Sequence, residues 1–356
     1  MSETTYAPSM GRLKALSHLL LPKDTILGLT QAKDTADVAK LLEGTTYSED
    51  LTHAFEVYRD SDALEVAINR HFAALTRLAY QVTPFSGRTA VGAYLKWWDI
   101  ENILSIIAAK AYGRILSESD TFIISERKTP AGVSAGILSI DDLRNLIAQT
   151  SVDAVVQQLA RFGYGVTIME HIGEFTKTQN LFPITRALEV QYYADLLRSS
   201  LFFQGDEWVV RQFIAEEIDV KNILTLFKGK DSEIPGEELS SLFLPGGTLP
   251  QKQLQDLSQL RSIEECVNSL GTEFGLAEAL TQYKEESTLV PFELTLRRRH
   301  ANRNHERMKI FPLSMAGIFH FILRARNERE DLRKIVYGKV YNLPAEKLTR
   351  ELITAA

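Results

Sequence analysis

Three acidic residues of this 356-residue chain have a type and a spacing that could support chemistry. Each is followed eleven positions later by a lysine. The pairs are Asp99 with Lys110, Asp219 with Lys230, and Glu328 with Lys339. Eleven residues make about three turns of helix, so the acid and the lysine share a face without touching. The spacing therefore does not indicate a general acid/base pair. It favours either a structural hydrogen bond inside each copy or an equivalent outward contact made three times.

These acids belong to a longer pattern that occurs three times. The next polar position is Asn102, Asn222 or Asp331, and an upstream element ends in an aromatic residue, namely Tyr47, Tyr164 or Phe274. The second and third copies also share a lead-in, in which Gly136, Leu138, Leu143 and Leu146 correspond to Gly247, Leu249, Leu254 and Leu257. Ordered elements that recur three times predict three homologous repeats, residues 1–117, 118–242 and 243–356.

Other residues with catalytic potential have simpler structural interpretations. Asp141-Asp142 approaches an acidic metal motif, but the last acid is absent and first-turn acids are expected at a helix start. Gly229-Lys230 lacks the rest of a phosphate-binding loop and is typical of a helix end. His300 and His305 are five positions apart, so they do not form a zinc pair on one helical face, and we expect both to be solvated. Cys266 aligns with valines of the other copies and is predicted to be a core residue.

Composition narrows the class of protein. A hydrophobic content of 45% and a charged content of 24% are those of an ordinary globular chain. The net charge of −6 argues against nucleic-acid binding, which usually requires a basic balance. The single cysteine fits a reducing, cytoplasmic setting. Because no run of about 18 apolar residues predicts a membrane span, we expect the chain to act at a membrane only as a peripheral subunit.

The hydrophobic pattern is helical almost throughout, because apolar residues follow helical spacing in 94–110, 209–228 and 318–335. Ser139 and Ser262 precede acidic first turns and are typical N-caps, and Pro312 is expected to begin the last long helix. The only short strand candidate is 121–124. We predict an all-α protein with three small helical subdomains arranged around one another.

A basic run comprises Arg297, Arg298 and Arg299 and continues to Arg303 and Arg307. The commoner interpretation of such a run is the polar face of an amphipathic helix. The more specific interpretation is an electrostatic contact with an acidic partner surface or with anionic head groups. These five arginines are the predicted partner interface.

Three segments resemble the C subunit family of A-type and V-type ATPases, which includes the d subunit of the eukaryotic vacuolar enzyme. They are AYLKWWDIENILSIIAAK (93–110), FIAEEIDVKNILTLFKGK (213–230) and PLSMAGIFHFILRARNEREDLRKIVYGKVYNLP (312–344). The last is the most specific, with an acid-rich pivot at Glu328 and Glu330, then Gly338-Lys339 and a short closing helix from Pro344. The resemblance covers about residues 6–352, and the hydrophilic insert 118–135 is its loosest part.

This resemblance implies a non-catalytic subunit of a rotary ATPase. Such a subunit is a funnel of three helical subdomains with pseudo-threefold symmetry. It seats on the cytoplasmic face of the membrane proteolipid (c/K) ring and receives the D and F subunits of the central stalk. The implied task is to pass torque between ATP turnover and ion translocation, with no catalytic residue, cofactor, metal or small-molecule substrate of its own.

Two other functions compete with this one. A helical-repeat adaptor outside any motor would bind proteins, but repeats above one hundred residues are much longer than the roughly 33–47 residues of common helical solenoids. An all-α enzyme would need a constellation of acid, base, nucleophile or metal ligands, and no such set is recognisable in the sequence.

Overall fold

The computed structural model describes residues 6–112, 116–117, 123–124, 129–130, 132–203 and 205–354. Contacts divide these residues into two compact units. The middle unit consists of residues 200–320, and the terminal unit consists of residues 6–199 with 321–354. The division into three homologous repeats stays a prediction.

The protein is all-α, as the sequence predicts. The helices of the terminal unit up to residue 199 are α1 (Ala7–Leu16), α2 (Lys23–Leu29), α3 (Thr35–Glu43), α4 (Ser48–Val57), α5 (Asp60–Val82), α6 (Phe85–Ala111), α7 (Ile140–Ala148), α8 (Val152–Leu159), α9 (Gly165–Thr178) and α10 (Phe182–Ser199). The helices that follow are α11 (Trp208–Asp231), α12 (Gly236–Ser241), α13 (Gln251–Gln259), α14 (Ile263–Leu270), α15 (Ala277–Glu286), α16 (Val290–Lys309), α17 (Met315–Val340) and α18 (Ala345–Glu351).

The predicted helix starts at Ser139 and Ser262 are confirmed. Ser139 forms a capping box with Asp142 at the start of α7, which accounts for the Asp141-Asp142 pair as first-turn acids. The Ser262 side chain accepts from the Glu265 amide at the start of α14. The expected start at Pro312 is wrong by three residues. Residues 312–314 form a turn, and α17 begins at Met315 after Ser314, whose hydroxyl accepts from the Ala316 amide.

Three two-residue strands lie between α6 and α7. They are β1 (Leu116–Ser117), β2 (Ile123–Ile124) and β3 (Thr129–Pro130), paired antiparallel in the order β1-β2-β3. The predicted strand at 121–124 is confirmed for its last two residues, while Thr121 and Phe122 lie outside the described residues.

Each unit has its own apolar core. In the terminal unit, Leu21, Ile26 and Leu29 from the start of the chain belong to one buried cluster with Leu332 and Ile335 of α17. In the middle unit, the buried cluster includes Ile223, Leu254, Leu257, Cys266 and Phe292. Burying each side chain of leucine size stabilises the fold by roughly 1.5–3 kcal/mol. The long helices α6, α11 and α17 therefore have fixed positions against the short helices that they contact.

Candidate functional site

The three repeated acids are all buried, at equivalent places on the three long helices. Asp99 lies on α6, Asp219 on α11 and Glu328 on α17, and each side chain is at most 3% exposed. A buried carboxylate needs hydrogen-bond donors, because burial without them costs several kcal/mol. The groups that donate hydrogen bonds to each acid show which segment of the chain its helix contacts.

Asp99 accepts bonds from the segment that leads into α7. The amides of Ile137 and Leu138 donate to its two oxygens at 3.0 and 3.1 Å, and the Tyr164 hydroxyl donates at 3.2 Å. Leu138 directly precedes the N-cap Ser139. The carboxylate therefore fixes the entry of the chain into the next group of short helices.

Asp219 makes the same contact with the segment that leads into α13. The amides of Thr248 and Leu249 donate to it at 2.9 and 3.0 Å, and the Thr248 hydroxyl donates as well. Leu249 directly precedes the N-cap Pro250. The second acid therefore repeats the geometry of the first.

Glu328 binds the start of the chain. The Leu21 amide donates to its Oε2 at 2.7 Å, and the Tyr47 hydroxyl donates to its Oε1 at 2.8 Å. Leu21 directly precedes the N-cap Pro22 of α2. The third long helix therefore holds an N-terminal segment in the way that α6 and α11 hold the segments that follow them.

The repeated lysines hold the other end of the same segments. Lys110 donates to the Ile147 carbonyl, Lys230 donates to the Ser258 carbonyl, and Lys339 donates to the Thr30 carbonyl. We call each acid and lysine, with the segment between their partners, a clasp. The three clasped segments are residues 21–30, 138–147 and 249–258. Each clasp joins residues that fall in two different predicted repeats, so on the predicted division the acids bind between repeats.

The second polar position adds further bonds between each long helix and a segment that follows it in the chain. Asn102 exchanges two hydrogen bonds with the backbone of Val133, and Asn222 exchanges two with the backbone of Leu244. Asp331 instead accepts from the amides of Ile353 and Thr354 at 2.6 and 2.9 Å. Asparagine can exchange bonds with one N–H and one carbonyl, whereas Asp331 has two N–H partners. A carboxylate, which only accepts, therefore suits this position.

Two glycines allow the carboxylates to approach the backbone. A Cβ atom added at Gly136 would collide with the Asp99 carboxylate, and one added at Gly247 would collide with the Asp219 carboxylate. Leu19 occupies the corresponding place in the third clasp, two residues before Leu21. Glu328 has one more methylene than an aspartate, so its carboxylate reaches the Leu21 amide from farther away.

Burial governs the electrostatics of the clasps. It raises the pKa of Asp99 to about 6 and that of Glu328 to about 7, although the hydrogen bonds that each accepts favour the charged form. Burial likewise raises the pKa of Asp219. Each acid is committed to backbone donors that hold two chain segments together. This arrangement can therefore anchor one chain segment to another.

The five arginines of the basic run lie on α16 and differ in their contacts and exposure. Arg303 and Arg307 both approach Glu216, with nitrogen–oxygen distances of 3.4 and 2.9 Å, and Arg307 is mostly buried. Arg297 forms an exposed ion pair with Glu293, Arg299 is exposed and Arg298 is half-buried. Arg297, Arg299 and Arg303 are therefore the exposed members of the predicted interface, whereas Arg307 fixes α16 to α11.

The expectation that His300 is solvated is wrong. Its ring is buried, stacks on Phe213 with centroids 4.9 Å apart, and places Nε2 3.2 Å from the Phe213 carbonyl oxygen. The helix face that looked polar in sequence is covered by α11. His305 is half-buried, with Nδ1 2.6 Å from Nε2 of His320.

Cys266 and Gly229 lie where the sequence predicts. Cys266 is fully buried in the core of the middle unit, and burial raises the pKa of its thiol to about 11. Gly229 lies in the last turn of α11, where an added Cβ atom would collide with Leu239 of α12. Within the described residues, no group of three or more histidine, cysteine, aspartate or glutamate side chains could hold a metal ion.

The clasped segment at the start of the chain is the element that sequence reasoning missed. Its signal is present, because Leu21, Ile26 and Leu29 have the same spacing as Leu138, Leu143 and Leu146. A side-chain N-cap also follows thirteen residues after the first leucine of each clasped segment, at Asp34, Ser151 and Ser262. The match appears only when the third long helix is compared with the beginning of the chain.

Comparison with known proteins gives one family over nearly the whole chain. The family model described as ATP synthase (C/AC39) subunit matches residues 9–351. The chain is 34% identical to the C subunit of the A-type ATP synthase of Thermoplasma acidophilum, covering 99% of both proteins. It is 33% identical to that of Thermoplasma volcanium, over 97% of both. It is 27% identical to that of Methanocaldococcus jannaschii, over 98% of this chain and 86% of the relative.

Proposed function

The chain belongs to the ATP synthase (C/AC39) subunit family, and on that premise we propose that it is a non-catalytic central-stalk subunit of a rotary A/V-type ATPase. It forms a socket that links the shaft, made of the D and F subunits, to the membrane proteolipid ring. Through this socket, torque passes between ATP turnover and ion translocation.

The clasps are the observation that most supports a mechanical role. Helices α6 and α11 each hold, at two points, a segment that follows them in the chain, and α17 holds the start of the chain in the same way. A load applied to one predicted repeat would thereby be passed to another through buried hydrogen bonds from backbone amides to carboxyl oxygens. A protein that couples two moving parts needs this kind of stiffness, and it needs no reactive group.

The same proposal includes the predicted arrangement and location. Three homologous repeats, residues 1–117, 118–242 and 243–356, form a funnel with pseudo-threefold symmetry. The protein is peripheral, on the cytoplasmic face of the membrane. Among the described residues, no helix is both long enough and apolar enough to cross a bilayer.

The test of this function is recovery of partners from native membranes. The chain is used as bait in mild detergent, and the captured proteins are identified by mass spectrometry. We expect the proteolipid ring together with the D and F subunits, and we expect ATP-driven ion transport to be lost when the chain is removed. Recovery of soluble proteins alone would favour the helical-repeat adaptor instead.

The basic face is tested in the same complex. Charge reversal at Arg297, Arg298 and Arg299 is expected to weaken assembly and coupling, because Arg297 and Arg299 are exposed and Arg298 is half-buried on α16. Arg198→Glu is a control, since Arg198 is 73% exposed on a different helix. Undiminished assembly of the triple variant would remove this face from the interface.

A further inference from the structure

The start of the chain contacts a second buried polar side chain besides Glu328. His71 of α5 is buried in the terminal unit, and its Nε2 lies 3.0 Å from the carbonyl oxygen of Leu19. Its Nδ1 lies 2.9 Å from Oδ2 of Asp50 on α4. Leu19 is two residues before Leu21, whose amide donates to Glu328. His71 and Glu328 therefore hold neighbouring backbone groups of one segment.

Both nitrogens of the His71 ring face groups that only accept hydrogen bonds, namely a backbone carbonyl oxygen and a carboxylate. A neutral imidazole has one N–H and can satisfy one of these partners, whereas the imidazolium has two and satisfies both. The Tyr47 ring, with its centroid 4.0 Å from that of His71, also favours a neighbouring cation. The Tyr47 hydroxyl stays neutral, because burial raises its pKa well above the ordinary value. These contacts select the protonated form of His71.

Charged groups on α4, α5 and α17 act on the His71 ring. Asp50 on α4 contacts it, and Nε of Arg70 on α5 lies 3.4 Å from the same carboxylate. Glu328 on α17 attracts the imidazolium, and Arg324 on that helix favours the charged form of Glu328. Burial lowers the pKa of His71, but its two hydrogen bonds and the charges of Asp50 and Glu328 raise it, so the pKa lies above the ordinary value of 6.5.

Loss of one proton from the ring would break the contact with Leu19 and keep the contact with Asp50. A hydrogen bond to a carboxylate is stronger than one to a neutral carbonyl, so the remaining N–H stays on Nδ1. The Nε2 lone pair then faces the Leu19 carbonyl oxygen, and an attractive contact becomes repulsive. That oxygen keeps one bond, since the Thr46 hydroxyl also donates to it at 3.0 Å. Deprotonation therefore loosens the start of the chain.

We propose that His71 is a pH-sensitive latch on the start of the chain. As the imidazolium it holds the Leu19 carbonyl, and as the neutral ring it releases this group and keeps Asp50. The folded ring holds its proton more tightly than the unfolded chain does. The stabilisation is therefore fully present below pH 6.5 and is lost as the pH rises through the folded value. The latch uses only residues of the terminal unit, so it does not depend on the socket function.

The first test determines the protonation state of the ring. The full chain is prepared with isotope-labelled histidine, and the ring nitrogens are followed by NMR between about pH 5 and pH 9, the range in which histidine titrates. The variant His71→Gln assigns the signals. We expect both His71 nitrogens to be protonated at neutral pH and Nδ1 alone at the highest pH. A neutral ring at neutral pH would overturn the proposal, as would a neutral form protonated on Nε2.

The second test measures the opening of the chain start. Hydrogen exchange of the Leu20 and Leu21 amides is followed over the same pH range and corrected for the exchange rate of an unfolded peptide at each pH. The parent protein carries Glu328→Gln, which removes the titration of Glu328 itself. We expect protection to fall as the pH rises, by about tenfold for each pH unit by which folding raises the pKa of His71.

Asp50→Asn in the same background is the matched variant. The amide NH₂ of asparagine can donate to Nδ1, so the neutral ring keeps its proton on Nε2 and its bond to Leu19. Some stability is lost at every pH, because Arg70 loses the Asp50 carboxylate. We expect protection of the chain start to become nearly independent of pH. A fall as steep as in the parent would overturn the latch, as would a parent whose protection does not change.

Discussion

Glu328 on α17 accepts a 2.7 Å hydrogen bond from the backbone amide of Leu21, which lies 307 positions earlier in the chain. This bond distinguishes the third clasp from the other two. Helices α6 and α11 hold segments that follow them in the chain, whereas α17 holds a segment near the start of the chain. A connecting peptide also joins each of the first two long helices to its clasped segment. The third clasp joins the two ends of the chain through noncovalent contacts alone. We therefore expect its residues to have large effects on the stability of the terminal unit.

Replacement of Glu328 by alanine is predicted to destabilise the protein by about 2–4 kcal/mol, because the buried Leu21 amide and Tyr47 hydroxyl lose their acceptor. Glu328→Gln should cost less than about 1 kcal/mol. Its amide oxygen still accepts from Leu21, and its NH₂ group can donate to the Tyr47 oxygen. The measurement is the free energy of unfolding in urea. Glu285→Ala, at an exposed position of α15, is a control expected to lie within about 0.5 kcal/mol of the unchanged chain. Equal losses for alanine and glutamine would contradict the prediction.

The third clasp should make stability depend on pH. Burial raises the pKa of Glu328 from 4.5 in the unfolded chain to about 7 in the folded protein, so folding favours the protonated form. The resulting stabilisation is fully present below pH 4.5 and is lost as the pH rises through about 7. We predict that the free energy of unfolding falls over this range relative to that of Glu328→Gln.

The measurement is urea unfolding of both proteins at several pH values between 4.5 and 8. His71 hydrogen-bonds to Asp50 near this clasp, and the charge of Glu328 contributes to raising the pKa of His71, so the difference between the two proteins includes this coupling. Burial also raises the pKa of Asp99, so the ionisation of Asp99 should likewise lower the free energy of unfolding as the pH rises from 3.8 to about 6. A gain in stability with rising pH, relative to the glutamine variant, would mean that the hydrogen bonds to the charged carboxylate outweigh its burial.

Much of the fold is predictable from this sequence, because helix periodicity and N-caps are local properties. The helix starts at Ser139 and Ser262, the core position of Cys266 and the repeated polar positions on the long helices all follow from spacing. Pro312 was misleading because the turn that contains it continues to Ser314, whose side chain caps the helix.

The partners of the repeated acids were not predictable in the same way. Spacing shows that Asp99, Asp219 and Glu328 are equivalent, but not which backbone amides they bind, since those amides lie far away in sequence. The clasped segment at the chain start was further obscured because Leu19 stands where the other two have glycine. The burial of His300 depends on Phe213 of another helix, which the amphipathic pattern of α16 alone does not reveal.

Phe274→Tyr is predicted to stabilise the middle unit by about 1 kcal/mol, which is typical of one added hydrogen bond. Tyr47 and Tyr164 donate to the acids of the other two clasps, whereas Phe274 at the corresponding place has no hydroxyl. A cavity of about 30 Å³ lies between Phe274 and Asp219, with Arg299 and His300 also on its wall. The new hydroxyl would fill part of this space and donate to Asp219. The measurement is the urea midpoint, with Phe274→Leu as the control expected to destabilise by loss of apolar contact. An unchanged midpoint for Phe274→Tyr would show that the hydroxyl does not reach the carboxylate.

Gly136→Ala and Gly247→Ala are predicted to destabilise the protein by about 1–3 kcal/mol each, as expected for overpacking against a fixed neighbour. The added methyl group would occupy the space of the Asp99 or Asp219 carboxylate, which is held by backbone amides and cannot move without losing them. Gly173→Ala is the matched control. Gly173 lies within α9 with nothing near its Cβ position, so alanine there should stabilise the helix by roughly 0.5–1 kcal/mol. Thermal unfolding of the three variants measures these differences. If Gly136→Ala or Gly247→Ala is as stable as the unchanged chain, the close approach of backbone and carboxylate is not required by the clasp.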